Sequence, residues 1–250
     1  VIVIRISKTI TLKVFLDYEK YNVFNNNKKV GYFFAYNNPF HQNNKYIKFD
    51  EKTFNKLNNK EYFEAIKNYF NKPLQIIISE KEKSQINELE ELGFTLRRTT
   101  HCYTFTKNDL IKRDITPTSI NFYTKGSKEE FMSAQELSYK HYIKTHESVN
   151  PLTASKKDFF KWMPLRVVCE VKDGVIINTF FIDDETEDIC YFGSSNGKSF
   201  KDFVYQALIH LFEETDILSL EVDSTDPLAL EVQSLFIDKE KDTYYTYIFN

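Results

Sequence analysis

From residue 192 to 199 the chain reads Phe192-Gly193-Ser194-Ser195-Asn196-Gly197-Lys198-Ser199. Glycines, serines and an asparagine give this stretch many accessible backbone N–H groups and hydroxyls, and Lys198 adds a positive charge. Directly after it, Phe200, Phe203, Val204, Ala207, Leu208, Leu211 and Phe212 recur at the spacing of one helical face. Free N–H groups at a helix start, aided by the helix dipole, can hold an anion such as a phosphate. The same residues also suit an ordinary polar loop that caps a helix. Further on, Leu218, Leu220 and Val222 alternate with Ser219, Glu221 and Asp223, which makes a strand with one apolar face and one acidic face. Tyr191 ends the short strand before the glycine-serine stretch; an aromatic there is either a site phenol or a core ring.

Other chemistry is poorly supported. His141 and His146 are five apart, not the i, i+4 pair that chelates zinc on a helix, and no cysteine joins them. No metal is therefore expected. Cys102, Cys169 and Cys190 are odd in number, widely spaced and without a C-x-x-C pair, which argues against a disulfide framework and fits a reducing cytoplasm. Arg97-Arg98 and the scattered lysines of the first half match no nucleic-acid motif, so no nucleic-acid partner is expected. No run approaches the ~18 apolar residues of a membrane span. The opening VIVIRIS is too short for a signal peptide and reads as a strand.

Charge is unevenly spread. Through Arg113 the chain carries 20 Lys and Arg against 12 Asp and Glu; from Asp114 onward it carries 13 against 24, a balance of −11. Either the two halves attract each other, or the acidic half draws in a cation such as an amine. With 250 residues, 42% apolar and 16% aromatic, the chain can hold one large domain or two of ~100–150 residues.

The elements that would position these residues come as a repeat. Leu74–Phe105 and Leu218–Phe249 match without a gap at an offset of 144 positions: Leu74 on Leu218, Leu92 on Phe236, Tyr103 on Tyr247, Phe105 on Phe249. Each copy reads as a strand, a polar turn, an amphipathic helix and a closing aromatic strand. The second half reads β-α-α-β-β-β-α-β-α-β, with a tight hairpin turn at Asp173-Gly174 and a capping box at Ser127 and Glu130. Asp226-Pro227 opens a helix as N-cap and first residue. The first half repeats the later part of this order without the two opening helices. Ser79–Glu82 reads as a second capping box, and the helix ends at Gly93, placed for a left-handed C′ position. Residues 109–117 read as a linker, giving domains at 1–113 and 114–250.

This order, with ELGFTLRRTTHCYTF at the end of the first copy, resembles the GNAT superfamily of N-acetyltransferases. The resemblance implies a mixed α/β fold, two GNAT-like acyltransferase domains in tandem, the first truncated and structural. It further implies acetyl-CoA as cosubstrate, an amine of a small molecule or peptide as acceptor, and no membrane partner. In that family a Gln/Arg-x-x-Gly-x-Gly/Ala loop holds the pyrophosphate. Here Ser194, Gly197 and Ser199 fall on its three positions, and Phe192 to Ser199 become the cofactor-binding residues. The fifth strand of the fold carries Glu221 and Asp223, read as base and amine anchor; a solvated or salt-bridged strand end is the other reading. The family's acid, a tyrosine in the following helix, is replaced by Gln233 and, in the first copy, Leu89, which leaves Tyr191 as the alternative acid. A non-catalytic ligand- or protein-binding module with the same fold also fits these departures. Aminoacyl-tRNA-dependent peptidyltransferases pair two such domains as well, but no helical arm is visible here.

Overall fold

The computed structural model describes residues 3–13 and 17–250, so Val1 and Ile2 of the expected opening strand lie outside the described residues. The elements run β1 (Ile4–Lys13), β2 (Asp17–Asn25), β3 (Lys28–Tyr36), β4 (Lys45–Lys48), α1 (Glu51–Phe54), α2 (Lys60–Phe70), β5 (Leu74–Ser79), α3 (Lys83–Glu91) and β6 (Thr95–Thr106). There follow β7 (Ile120–Thr124), α4 (Lys128–His146), α5 (Lys156–Trp162), β8 (Arg166–Lys172), β9 (Val175–Asp183), β10 (Asp188–Ser194), α6 (Gly197–Glu214), β11 (Ile217–Asp223), α7 (Pro227–Gln233) and β12 (Asp242–Phe249).

Two compact units result. The first takes the chain up to Thr99 together with Ser148–Ala154 and Tyr244–Asn250; the second takes Thr100–Glu147 and Ser155–Thr243. A division of the sequence at 113/114 therefore does not coincide with these segments. The first unit's strands are ordered β1-β2-β3-β4-β5-β12, and the second unit's β6-β11-β10-β9-β8-β7. Each closing strand thus pairs in the unit of the other repeat. Expected to close its own copy, β6 pairs antiparallel with β11, Phe105 opposite Leu218 and His101 opposite Val222. β12 pairs antiparallel with β5, Phe249 opposite Leu74 and Tyr245 opposite Ile78. The registers are the same after the 144-residue offset. The reason lies in the strands themselves: both alternate aromatic and polar residues with the same phase, so either can cover either edge.

Local signals act largely as the residues predict. Asp173 and Gly174 both have positive φ, as a type I′ hairpin requires, and Asn26-Asn27 make a second such turn. The Asp226 carboxylate caps α7 by accepting from the N–H groups of Leu228 and Ala229. After α3, Gly93 takes φ 97°, with Phe94 N–H bonded to Leu89 O and Gly93 N–H to Glu90 O, a complete Schellman motif. Two capping boxes come out differently. Ser127 has ψ 73° and makes no side-chain cap, because its own N–H closes a turn onto Thr124 O. At Ser79 only half the box forms, the Glu82 carboxylate accepting from the Ser79 N–H.

Each unit has its own core. In the first, Phe33, Phe54, Phe63, Leu89, Phe94 and Phe249 pack among β3, α2, α3 and the borrowed β12. In the second, Phe200, Phe203, Leu208 and Leu211 of α6 pack with Leu228 and Val232 of α7 on one face of the sheet. Phe180, Phe192, Leu218, Leu220, Tyr103 and Phe105 form that face. The opposite face meets α4, where Phe131 packs edge-on against Phe181.

Candidate functional site

The second unit has a fork in its sheet. β10 and β11 are parallel and pair at Asp188–Ser219 and Ile189–Leu220; beyond that no further pairing holds them together. At the fork β10 also bulges: Cys190 faces Phe181 and Gly193 faces Thr179, so Tyr191 and Phe192 together oppose Phe180. The bulge puts Tyr191 at φ 50°, a left-handed conformation unfavourable for a bulky side chain. It is held there by Ser138 of α4, whose hydroxyl donates to Tyr191 O at 2.6 Å.

The sequence-derived residues fall around this fork in three groups. Tyr191 turns its ring into the α4 side, against Phe159, Tyr142 and Phe181. Burial foremost, and then the nearby Cys190, Glu221 and Asp183, push its phenol well above the usual tyrosine range. It is therefore a half-buried ring packed on the α4 side and a protonated phenol.

On β11 the alternation read from the sequence is present: Leu218, Leu220 and Val222 are buried, while Glu221 is exposed and Asp223 half-buried. Asp223 accepts from the Thr100 hydroxyl at 2.5 Å. The acidic face extends to Asp188 and Asp242, and burial together with these carboxylates pushes the Cys102 thiol up to about 11.

The glycine-serine stretch is partly strand and partly helix. Phe192 to Ser194 belong to β10, Ser195 and Asn196 connect, and Gly197, Lys198 and Ser199 form the first turn of α6. Phe192 is a core residue between Phe180 and Phe200. Gly193 is small for a different reason than anion binding: a Cβ there would stand 2.7 Å from the Ser138 nitrogen. Gly197, by contrast, has open space around it and an ordinary φ. The serine hydroxyls are committed internally. Ser194 donates to Asn178 Oδ1, Ser199 donates to Glu170 Oε2 at 2.9 Å, and Asn178 Nδ2 donates to Ser199 Oγ and Glu170 Oε2. Ser195 gives both its N–H and its hydroxyl to Ile177 O. With the Ser199 N–H also bonded to Asn196 O, what remains for a ligand is the Gly197 and Lys198 backbone N–H groups at the start of α6, with the exposed Lys198 side chain beside them.

Two residues that the sequence reading passed over also belong here. His141, on α4 one turn beyond Ser138, bonds through Nε2 to Asp226 Oδ1 at 2.7 Å. That oxygen also accepts the Leu228 and Ala229 N–H groups, so His141 Nε2 is the donor in this bond. Asp226 in turn sits just past β11, its N–H on Asp223 O, so the pair stands at the open end of the fork. His141 had been visible as a histidine and Asp226 as a cap, but 85 positions separate them. The second residue is Tyr103. The Gln233 amide donates to the Tyr103 hydroxyl at 2.7 Å.

His146 is not part of any ligand set; it stacks on Tyr142 and bonds back to Tyr142 O. Among the described residues, no three His, Cys, Asp or Glu side chains come together to hold a metal ion. No helix of the described residues is long and apolar enough to cross a membrane.

The first unit has a corresponding fork, where β4 and β5 pair at Lys45–Leu74 and Tyr46–Gln75. There Asn150 donates to Gln75 Oε1 at 3.0 Å and to the Tyr46 hydroxyl at 3.2 Å, and Asn44 also donates to Gln75. The diverging ends hold a cavity of only about 20 Å³, lined by Phe49, Phe54, Ile76 and Leu89 with Lys48, Glu82 and Gln85. The helix that follows β4 begins at Asp50, whose carboxylate accepts from the Thr53 N–H and from the Tyr32 hydroxyl.

Comparison with known proteins places the fold. No family model and no curated protein sequence matches the chain. Solved structures do. A GCN5-related N-acetyltransferase from Sphaerobacter thermophilus aligns over 92% of this chain and 79% of its own, with TM-score 0.53 and 11% identity. One from Kribbella flavida aligns over 87% and 86%, with TM-score 0.51 and 15% identity. A tandem GNAT protein from the clavulanic acid biosynthesis pathway aligns over 93% and 82%, with TM-score 0.51 and 6% identity. At these identities the likeness is one of fold: the chain has the mixed α/β fold of the GCN5-related N-acetyltransferases.

Proposed function

We propose that the chain is an acetyl-CoA-dependent N-acetyltransferase, acting on an amine of a small molecule or peptide at the fork of its second unit. The observation that carries this reading is the β10–β11 fork with Tyr191 forced to φ 50° at its bulge. Such strain persists only where the surroundings enforce it, and it collects at working sites. Acetyl-CoA supplies an activated thioester carbonyl when bound. The Gly197 and Lys198 N–H groups at the start of α6, with the Lys198 ammonium, would hold its pyrophosphate, and the open space over Gly197 leaves room for close approach.

The chain's own residues then have distinct tasks. Glu221 and Asp223 attract the cationic amine. An ammonium with pKa near ~10 must lose a proton before it can attack. His141 would take it, with the half-buried Asp226 carboxylate on Nε2 holding the ring. Glu221 is the second candidate base. Tyr191, kept protonated by burial, can return a proton to the departing thiolate.

One observation favours a second reading, a GNAT-like module that binds without turnover. Glu170 puts a buried carboxylate into the hydrogen-bond network beneath the start of α6, where it competes with a bound anion. The two readings separate in one set of measurements: acetyl-CoA binding by calorimetry, then thiol release with a panel of primary amines. Turnover supports the enzyme, and binding without turnover supports the module. No binding at millimolar acetyl-CoA defeats both. Replacing a general base costs ~10²–10⁴ in rate, so His141→Gln and Glu221→Gln identify the acceptor by which one abolishes the acidic limb of the pH–rate profile.

A further inference from the structure

α4 and α5 of the second unit enclose a pocket of about 330 Å³ that lies outside the fork residues. Its floor is apolar, formed by Phe131, Met132, Phe160, Met163 and Leu165. Its rim is cationic, formed by Lys125, Lys128, Lys157 and Lys161. Two of the floor residues are largely open to solvent, Met132 at 60% and Leu165 at 61%. Exposed apolar surface that is contiguous and edged by charge is the mark of a binding site rather than of scattered surface residues.

The charge pattern identifies the occupant. From Asp114 onward the chain has 13 Lys and Arg against 24 Asp and Glu, yet four of the thirteen surround this one pocket. Lys161 pairs with Asp158 at helix spacing, an exposed contact of little strength. Lys125, Lys128 and Lys157 meet no carboxylate at ion-pair distance among the described residues. Glu129 and Glu130 lie nearby in sequence at the start of α4 and are exposed. Glu136 is taken by Lys156. An apolar floor inside a ring of available ammonium groups suits a molecule with an apolar body and an anionic head. The volume is at the low end of the ~300–1,000 Å³ of small-molecule sites, which suits one chain and excludes a two-chain lipid.

We propose that this pocket is a binding site for a single-chain amphipathic carboxylate, with the chain on the Met132–Leu165 floor and the carboxylate among the lysines. The site is independent of acyl transfer at the fork. Trp162, the only tryptophan of the chain, does not line the pocket, so binding is read by calorimetry. The test titrates the whole protein with decanoate below its micelle concentration, in parallel with decanol and decylamine. Decanoate should saturate and bind at least tenfold tighter than decanol, and decylamine should bind weakest. In the double variant Lys128→Glu/Lys157→Glu, at two exposed positions, circular dichroism should be unchanged and the preference for decanoate over decanol should be lost. Equal affinity for decanoate and decanol would overturn the proposal. So would a preference unchanged in the double variant, or binding to anionic phospholipid vesicles with none to monomeric decanoate.

Discussion

Parallel strands part in both units, between β4 and β5 in the first and between β10 and β11 in the second. The first fork is filled from within. Asn150 and Asn44 bond its base, aromatic rings close its mouth, and the Asp50 carboxylate occupies the start of the next helix. The second fork keeps a strained tyrosine, an acidic strand face and a histidine–aspartate pair, and its following helix starts without a side-chain cap. One fold thus serves two ends: where polar groups are satisfied internally the fork is structure, and where they are left facing outward it can do chemistry.

The largest test of this contrast is to separate the repeats. A fragment from 114 onward loses β6 from the edge of β11, and a fragment ending at 113 loses β12 from β5. Each alone should aggregate or lack near-ultraviolet dichroism, whereas the two expressed together should recover a cooperative melt. A cooperative melt from either fragment by itself would contradict the exchange. Next come the two glycines of the proposed cofactor stretch. Gly193→Ala drives a Cβ into the α4 backbone and should cost about 1–3 kcal/mol or more. Gly197→Ala meets nothing and should be neutral or stabilising by about 0.4–1 kcal/mol. Similar denaturation midpoints for both variants would mean that Gly193 is not set by packing.

A third comparison removes the plug of the first fork. Asn150→Ala removes one of the two amide donors to Gln75 and a donor to the Tyr46 hydroxyl, and should cost about 1–3 kcal/mol, with acetyl-CoA affinity unchanged. A loss of affinity would give the first fork a role in binding. The smallest effect concerns pH. Burial foremost, with Arg98 also contributing, lowers the pKa of His41 in the first unit. Below about 6.5 the unfolded chain then binds a proton that the folded chain resists, so stability falls as pH drops through that value. Urea midpoints at pH 7.5 and 5.5 should differ less in His41→Gln than in the parent; an equal difference would remove His41 as the cause.

Much of this arrangement was legible in the residues. The 144-residue offset reappears in the registers, 74 opposite 249 and 218 opposite 105. The alternation on β11 and the cap at Asp226 also follow directly from sequence. The exchange of closing strands did not, because alternation specifies which face of a strand is buried and not which neighbour it takes. Nor did the reach of Asn150 into the first unit, or the meeting of His141 with Asp226, since both join positions far apart in the chain with no periodic signal between them. Nor did the packing demand at Gly193, where the α4 backbone leaves no room for a Cβ whatever the glycine's part in binding.

The exchanged strands also impose an order in time. The strand that covers β5 starts to pair only at Tyr244, close to the end of the chain. At a ribosomal rate of ~5–20 residues per second, the stretch between Ser79 and Tyr244 takes roughly 8–30 s to add. Throughout that interval the Ile76-Ile77-Ile78 edge of β5 has no partner strand of its own, while β6 has already been made and waits for β11. The first unit to be translated is therefore completed after the second, and a nascent chain of this protein presents an open, isoleucine-rich edge to chaperones until Tyr244–Phe249 emerge.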